Sequence, residues 1–348
     1  DENFKNLIII SIILIPSLLS LFYGLFSLSL KFFNVRMNFS SILIFSLLLS
    51  IFEYLRGTLF GGFPWNLISF SIIKMISSLQ ILSLIGTYSL NLLVTTFFCL
   101  PIVILFKINK QKKIAILFSA ISILLLNFYY GYNKIQSTEK IEKKSVFPSI
   151  KLVSPKFNIE RFFVEEPIEK KMNELIEISY PLNKDLLLIY PEGIVNIGEL
   201  NNLKNDFSRS SRKLTNNTKI ILGITFDDGK KIFNSMALFN NEFKIEKKYF
   251  KNKLVPFGEF LPFEKFLSNF GLKKITHGYR SFSPSDKREI IKINSLSFLP
   301  LICYEIIFSG QLNKSKSNYD FILNISEDGW FGNSIGQIQH FSHSIFRS

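Results

Sequence analysis

The sequence predicts a protein in two parts, a multi-span α-helical membrane bundle followed by an α/β domain. The chain has 348 residues, which is enough for two domains of ordinary size. Its hydrophobic fraction is 47%, and the apolar residues crowd into the first third of the chain. Beyond residue 147, short apolar runs alternate with polar, helix-like stretches. Such alternation is typical of a layered α/β domain with buried strands.

The membrane half contains four uncharged apolar runs, over residues 7–30, 37–52, 75–106 and 114–133. A helix needs about 20 apolar residues to cross the hydrocarbon core of a bilayer, so we interpret residues 1–133 as a transmembrane domain of four spans. The second run is short by this measure. The third exceeds one perpendicular span, and it fits either a single tilted helix or two pieces.

Basic residues set the predicted orientation of these spans. Four lysines between residues 107 and 113 lie between the third and fourth spans, and Lys31 and Arg36 lie between the first and second. Loops rich in lysine and arginine stay in the cytoplasm, so both loops are predicted to be cytoplasmic. The domain after residue 133 then lies outside the cytoplasm, which is the periplasm in a cell with an outer membrane.

The loop over residues 53–74 has two open interpretations. Its first part, EYLRGTLFGGFPWN, is rich in glycine and aromatic residues. In one interpretation it is an interfacial loop whose Tyr54 and Trp65 anchor at headgroup depth. In the other it is a re-entrant segment that lines a lipid-access site, where Arg56 meets a phosphate.

The charge pattern argues against a nucleic-acid partner, and the cysteine content argues against a disulfide within the polar domain. The formal net charge is +14, which we attribute mainly to biased composition, with attraction to anionic lipid as a by-product. The sequence contains no arginine-rich arm or nucleic-acid motif, so it predicts no nucleic-acid partner. Of the two cysteines, Cys99 lies in an apolar run and Cys303 is alone in the polar domain, which predicts a free thiol there. The chain starts at Asp1 and stops abruptly at Ser348, so we expect a fragment of a longer protein at both ends.

A charged linker over residues 134–147 is predicted to precede the second domain, residues 148–348. Helix-like patterns cover residues 160–178 and 201–214. The predicted strands cover residues 150–155, 186–193, 219–226, 234–240, 297–305 and 320–328.

Three short motifs of this domain contain the candidate catalytic residues. YPEG, KNKLVPFGEF and ICYEII contain Glu192, Lys251 and Cys303. Glu192 and Cys303 each follow an apolar strand, and Lys251 follows the run around residues 243–249. Residues at strand ends of an α/β scaffold converge readily on one site. Acyl transfer through a thioester requires these three groups: the carboxylate takes the thiol proton, the thiolate attacks a carbonyl, and the ammonium stabilises the oxyanion.

Each member of this trio also has a purely structural interpretation. Glu192 fits a turn residue, Lys251 fits a solvated basic face, and Cys303 fits a buried core cysteine. These alternatives stay open for each residue taken alone.

Neighbouring polar residues favour a site. Glu259 lies behind a turn set by Pro256 and Gly258, where it is expected to hydrogen-bond the Lys251 ammonium. Tyr304 and Glu305 directly follow a buried strand, where polar groups cost free energy unless they are used.

The order of the motifs resembles the nitrilase superfamily of carbon–nitrogen hydrolases, whose Glu, Lys and Cys follow in the same order. The longer motifs resemble, more narrowly, the apolipoprotein N-acyltransferase family. They are EYLRGTLFGGFPWN, KNKLVPFGEFLPFE, PLICYEIIF and ISEDGWFGNSIGQIQHF. The resemblance extends from the first span to the last residue.

This resemblance implies a fold, a reaction and partners. The fold is a four-layer αββα nitrilase-like sandwich on a transmembrane bundle, on the periplasmic side of a bacterial inner membrane. The reaction transfers a fatty acyl chain from a phospholipid, usually phosphatidylethanolamine, to the N-terminal amine of the S-diacylglyceryl cysteine of an apolipoprotein. The resemblance implies no cofactor and no metal.

The resemblance also implies roles for residues. Cys303 is the nucleophile, Glu192 the general base and Lys251 the oxyanion stabiliser of a ping-pong thioester mechanism. The supporting residues are Glu259, Tyr304 and Glu305. The residues expected at substrate access are Arg56, Phe163 and Trp330.

The sequence departs from the family pattern at three places. Lys253 stands where the family usually has His, Glu327 where it usually has Asn, and Phe162 or Phe163 where it often has Trp. These departures leave the trio intact, and each is expected to alter substrate access or rate.

A histidine pair, His340 and His343, has spacing that suits metal ligands. No cysteine is near it in sequence and His277 is remote, so we predict no metal site.

Two other functions remain open from the sequence. One is a membrane-tethered nitrilase-type amidase that uses the same trio on a small amide. The other is a lipid-binding or transport component with a degenerate polar domain.

Overall fold

The computed structural model describes residues 5–36, 38–139, 149–155, 168–182, 186–196, 214–262, 281–312 and 318–348. The chain divides into two compact units. The first consists of Asp1–Glu142, Ile307–Gly310 and Phe341–Arg347, and the second of Lys143–Ile306, Gln311–His340 and Ser348.

The first unit is helical. Its helices are α1 (Lys5–Phe32), α2 (Phe39–Thr58), α3 (Ile76–Leu79), α4 (Leu82–Cys99) and α5 (Lys110–Glu139). Within the part of the chain that the structure describes, four segments are long and apolar enough to cross a membrane, Ile13–Phe32, Phe39–Gly61, Leu82–Leu105 and Lys110–Thr138. Large apolar side chains such as Leu14, Phe118 and Leu126 are exposed on them. The predicted membrane helical region is therefore confirmed.

The second helix continues beyond the predicted end at residue 52. It includes Glu53 and Arg56, both buried, and ends at Thr58. The two charges neutralise each other: Arg56 Nε lies 2.9 Å from Glu53 Oε2, and the Tyr23 hydroxyl donates to Glu53 Oε1 at 2.7 Å. Since a paired and hydrogen-bonded charge no longer needs water, it does not end a membrane helix.

The predicted third span, residues 75–106, consists of separate pieces. The short α3 precedes α4, and a 3-10 segment follows over Leu100–Leu105. Pro101 lies at the start of that 3-10 segment, where its missing N–H ends the regular α-helical hydrogen bonding. Gly86 breaks α4 internally with φ +75°. The run is therefore divided into more than one piece, and a single regular helix does not describe it.

The predicted linker over residues 134–147 is wrong in its first six residues. Helix α5 continues through them to Glu139, since Lys, Gln and Glu are good helix formers. The Lys134 ammonium donates to Ser83 Oγ at 2.8 Å. The remaining part, from residue 140, lies outside the described residues.

The second unit contains two β-sheets among its described residues. The strands are β1 (Ser149–Leu152), β2 (Leu186–Ile189), β3 (Val195–Asn196), β4 (Lys219–Asp227), β5 (Ile232–Phe239), β6 (Ile245–Phe250), β7 (Ile291–Ile293), β8 (Leu296–Ile302) and β9 (Phe321–Ile325). The first sheet has the order β1-β2-β4-β5-β6, with β3 also paired to β4, and the second has the order β7-β8-β9. Strands β1, β2 and β4 are parallel, as are β8 and β9.

The alternation of side chains along the strands builds the layers. In β2, Leu186 and Leu188 pack in one core with helix α6 (Ile168–Ile178). Leu187 and Ile189 point to the opposite face and pack in a second core with residues of β7, β8 and β9. Successive side chains of a strand alternate between faces, so the first sheet lies between a helix and the second sheet. These three layers agree with the predicted nitrilase-like sandwich.

Most predicted strands are present but end earlier than expected. β2, β8 and β9 end at Ile189, Ile302 and Ile325, so the motif residues that follow them lie in turns. Strands β3, β6 and β7 were not predicted, because β3 and β7 are only two or three residues long and β6 contains three consecutive charged residues. Helix α6 begins at Ile168 inside the predicted 160–178 segment; its first part, like the predicted helix over 201–214, lies outside the described residues.

Gly223 on β4 is expected to tolerate no side chain. A Cβ atom there lies 2.4 Å from Glu192 Cα and 2.6 Å from the carbonyl oxygen of Pro191. We therefore expect Gly223→Ala to displace the Glu192 turn and to lower the free energy of unfolding by about 1–3 kcal/mol. Thermal unfolding in detergent measures this effect. Gly24→Ala, whose added Cβ meets nothing within 4 Å, is the control, and equal melting temperatures for the two variants would contradict the prediction.

Candidate active site

Glu192 lies in the turn that follows β2, and 8% of its surface is exposed. Gly193 adopts φ +67°, a conformation that glycine accepts without strain and that lets the chain turn sharply here. The Glu192 carboxylate accepts hydrogen bonds from Asn234 Nδ2 at 2.7 Å, from Lys251 Nζ at 3.2 Å and from the Glu327 N–H at 3.2 Å. These donors fix its orientation inside the second unit.

Lys251 directly follows β6 and is fully buried. Its Nζ lies 3.0 Å from Glu259 Oε1 and 3.2 Å from Glu192 Oε1. Burial alone would lower the pKa of Lys251, but the charges of Glu192 and Glu259 outweigh it and hold the pKa well above its usual value. The side chain is therefore an ammonium, and two of its three donors point to carboxylates.

Cys303 directly follows β8, at the start of a 3-10 turn, Cys303–Ile307. Its backbone has φ +50°, a strained conformation for a residue with a side chain, and such strain is concentrated at functional sites. Burial raises the pKa of the Cys303 thiol, and the negative charge of Glu192 raises it further, against the opposing effect of Lys251. The resting residue is therefore a neutral thiol that needs a base before it can act as a nucleophile.

Glu259 holds the loop that follows Lys251. Its Oε1 accepts from Asn234 Nδ2 at 2.6 Å, in addition to the Lys251 ammonium, and its Oε2 accepts from the Val255 N–H at 2.9 Å. Glu259 thus accepts a hydrogen bond from the Lys251 ammonium, which is the contact expected from the sequence.

Glu305 is completely buried and connects the segments of two trio residues. It accepts from the N–H groups of Asn252 and Lys253 at 2.9 and 3.1 Å, directly after Lys251. It also accepts from the Ile302 N–H at 2.9 Å, directly before Cys303. One carboxylate therefore fixes the distance between the backbones that carry the ammonium and the thiol.

Tyr304 and Trp330 differ in exposure. Tyr304 is buried, and burial raises the pKa of its hydroxyl. Trp330 lies in the 3-10 turn Asp328–Phe331 and is 43% exposed. Phe163 lies outside the described residues, as do Phe162 and His277.

Arg56 belongs to the first unit, where its donors are already engaged. Besides its pairing with Glu53, the guanidinium donates to the carbonyl oxygens of Phe63 and Trp65 at 2.5 and 2.7 Å. These contacts hold the loop that follows α2. A phosphate-binding role for Arg56 stays a prediction, and its contacts favour the interfacial-loop interpretation.

Asn234, at the start of β5, is a site residue that the sequence interpretation missed. Its side-chain amide has two hydrogens, and one is donated to each of Glu192 and Glu259. Its carbonyl oxygen also accepts from the Lys251 N–H at 2.9 Å. The available signal was a polar amide at the start of an otherwise apolar predicted strand.

Asn234→Asp is expected to weaken this arrangement strongly. The substitution has nearly the same shape but replaces two donors with an acceptor beside two carboxylates, and uncompensated buried charge costs about 3–5 kcal/mol. Thermal unfolding checks the expected loss of stability. Asn240→Asp is the matched control, because Asn240 uses only its Oδ1 as an acceptor, for the N–H groups of Glu242 and Lys244. Similar melting temperatures in the two variants would argue against the role of Asn234.

The histidine pair separates in the structure. His340 Nδ1 lies 2.8 Å from Asp328 Oδ1, and its Nε2 lies 3.2 Å from the carbonyl oxygen of Cys303. Burial would raise the pKa of Asp328, but its hydrogen bond with His340 holds it below the usual value. His343 belongs to the first unit and packs against Phe70, with ring centroids 4.6 Å apart.

Among the described residues, one group has ligand atoms close enough for a metal ion. Cys303, Asp328 and His340 place such atoms within 4.8 Å of one another. Both ring nitrogens of His340 already lie within hydrogen-bond distance of oxygen atoms, so the arrangement also fits a hydrogen-bonded pair that orients the Cys303 backbone. The absence of a metal in the active protein stays a prediction.

Two family models match the chain. The apolipoprotein N-acyltransferase N-terminal domain matches residues 2–100, and the carbon–nitrogen hydrolase domain matches residues 209–347. The second match contains Lys251 and Cys303, and Glu192 lies before it.

Curated relatives match most of the chain. The apolipoprotein N-acyltransferase of Rickettsia typhi is 31% identical over 88% of this chain and 61% of its own length. The enzyme of the same name from Agrobacterium fabrum is 26% identical over 100% of this chain and 66% of its own length. The chain thus spans about three-fifths to two-thirds of the length of these relatives. A carbon–nitrogen hydrolase structure from Helicobacter pylori covers 52% of this chain and 62% of its own, at 16% identity and a TM-score of 0.34.

Proposed function

The chain belongs to the apolipoprotein N-acyltransferase family, and we propose that it transfers a fatty acyl chain from a phospholipid to the N-terminal amine of a diacylated lipoprotein. The observation that supports this proposal most directly is the buried ion pair of Glu192 and Lys251, with Nζ and Oε1 3.2 Å apart. Glu192 raises the pKa of the Cys303 thiol and Lys251 lowers it, which supports treating the three groups as one site.

In the first half-reaction, the thiol attacks the ester carbonyl of the phospholipid. Glu192 takes the proton from Cys303 Sγ, and the sulfur forms a bond to the carbonyl carbon. The negative charge that develops on the carbonyl oxygen is stabilised by the Lys251 ammonium. The C–O bond then breaks, Glu192 returns the proton to the leaving oxygen, and a lysophospholipid departs from the thioester.

In the second half-reaction, the amine of the lipoprotein cysteine attacks the thioester. Glu192 takes a proton from the attacking nitrogen as the C–N bond forms, and the C–S bond breaks. The proton returns to the sulfur, which restores the thiol. Because the same base acts in both directions, a ping-pong sequence with one covalent intermediate needs no additional catalytic group.

We propose that phosphatidylethanolamine is the donor and that the second unit lies on the periplasmic side of a bacterial inner membrane. The orientation rests on the basic loops, and the four apolar helices support residence in the bilayer. A tethered amidase would need only one helix as an anchor, so four such helices favour a lipid substrate.

Mass spectrometry of the intact protein tests this function. The purified protein is incubated with phosphatidylethanolamine, and a gain of one acyl chain that hydroxylamine removes is the expected result. Turnover of small amides without such an adduct would favour the tethered amidase. An adduct that hydroxylamine does not remove would exclude a thioester and contradict the proposed mechanism.

A further inference from the structure

Arg288 lies outside the trio and outside the motifs, yet its guanidinium is buried in the second unit. Its NH2 nitrogen lies 2.5 Å from Glu305 Oε1, and the Arg288 side chain is 9% exposed. Its Nε donates to the Tyr249 hydroxyl at 3.0 Å, and its NH1 nitrogen donates to the carbonyl oxygen of Leu312 at 2.9 Å. The neighbouring residues Asp286, Lys287 and Glu289 are all charged, which is typical of a solvated segment.

Arg288 is the cation that pairs with the carboxylate of Glu305. Glu305 is completely buried, and an unpaired buried carboxylate is costly. The single hydrogen of the Tyr249 hydroxyl is shared between the two Glu305 oxygens, each 2.8 Å from the hydroxyl oxygen. The other partners of the carboxylate among the described residues are backbone N–H groups. Among the described contacts, only Arg288 forms a salt bridge with Glu305.

Arg288 affects the catalytic trio through Glu305, which anchors the backbone beside two members of the trio. Its two oxygens accept from N–H groups that flank Lys251 on one side and Cys303 on the other. If the Glu305 side chain rotates, both backbone segments lose a common anchor. A displacement of about 1 Å between reacting groups is enough to cost about a hundredfold in rate.

We propose that Arg288 is a positioning residue for acyl transfer, which holds the Glu305 carboxylate in its orientation so that Lys251 and Cys303 keep their separation. This inference rests on the proposed function. The fork of the guanidinium is essential to it, because three nitrogens reach three separate acceptors. A lysine ammonium is a compact charge that lacks this planar fork.

The experiment compares the rate of thioester formation in Arg288→Ala, Arg288→Lys and Lys287→Met. Lys287 is the adjacent exposed basic residue and serves as the matched control. We expect Arg288→Ala to lower the rate about tenfold or more with little change in KM for the phospholipid, and Arg288→Lys to recover part of it. Added guanidinium ion, at concentrations that leave the wild type unaffected, is expected to restore activity to Arg288→Ala alone.

The outcomes separate the inference from the function. A wild-type protein that forms no thioester overturns the proposed function and this inference with it. If the wild type reacts and the folded Arg288→Ala variant reacts at the same rate, only the inference is overturned. Two further outcomes would assign Arg288 a purely structural role and overturn the inference. One is a lower melting temperature of Arg288→Ala with an unchanged rate. The other is a lost rate that guanidinium does not restore.

Discussion

Cys303→Ala is expected to abolish acyl-enzyme formation and to lower turnover about ten-thousand-fold or more, while the second unit stays folded. Loss of a nucleophile removes the covalent route completely, and what remains is catalysis by binding and electrostatics. The substitution removes one sulfur atom at the end of β8 and leaves the hydrogen bonds of Glu305 in place. Thioester formation is followed by intact mass, and folding by thermal unfolding.

A second variant tests the backbone strain at the same position. Cys303 adopts φ +50°, where glycine has no steric penalty. Cys303→Gly is therefore expected to be as inactive as Cys303→Ala but to have the higher melting temperature of the two. A persistent acyl adduct on Cys303→Ala would show that another group is the nucleophile, and would refute the assignment of the trio.

Glu192→Gln is expected to lower the rate of thioester formation about a thousandfold, within the range that a general base contributes. The glutamine retains one oxygen for the donors of Asn234 and Lys251. It places an amide nitrogen where Oε2 accepts from the Glu327 N–H, so this hydrogen bond is lost. The effect on stability is expected to be small beside the effect on rate.

The residual activity of Glu192→Gln is expected to depend on pH with a definite sign. Burial raises the pKa of the Cys303 thiol, so the thiol is protonated at neutral pH. As long as the pH stays below that pKa, each increase of one pH unit raises the thiolate fraction tenfold. Without the base, the rate should rise with pH across the range in which the protein is folded. Glu246→Gln, which removes a half-exposed carboxylate paired with Lys219, is the control. A Glu192→Gln variant with wild-type rates would remove Glu192 from the mechanism.

Glu192 and Cys303 were accessible from the sequence because each follows an apolar run inside a motif. The strands β2 and β8 were predicted close to their observed starts, whereas β6, which precedes Lys251, was not predicted as a strand. Lys251 was found through its motif. The roles of Glu259 and Glu305 followed from proximity to the trio in sequence. The motifs therefore predict which side chains react and approximately where in the fold they lie.

The roles of Asn234 and Arg288 were inaccessible for a physical reason. Their importance depends on partners 17 to 42 residues away. A polar amide in an apolar strand marks Asn234 but does not identify its partners, and Arg288 suits its charged segment. Only the tertiary structure shows that the amide bridges two carboxylates and that the guanidinium is buried. The same reason explains why the end of α2 was predicted wrongly. Glu53 is neutralised by its contact with Arg56, and the composition of the segment does not reveal this contact.

The pairing of Glu53 and Arg56 also limits the substitutions that this segment tolerates. Either residue alone would leave an uncompensated charge inside an apolar helix, whereas loss of both would leave a neutral one. Arg56 additionally holds the carbonyl groups of Phe63 and Trp65, so loss of the pair would release the loop. Replacement of one of the two residues is therefore expected to destabilise the helix more than replacement of both, and any change of Arg56 also releases the turn that follows.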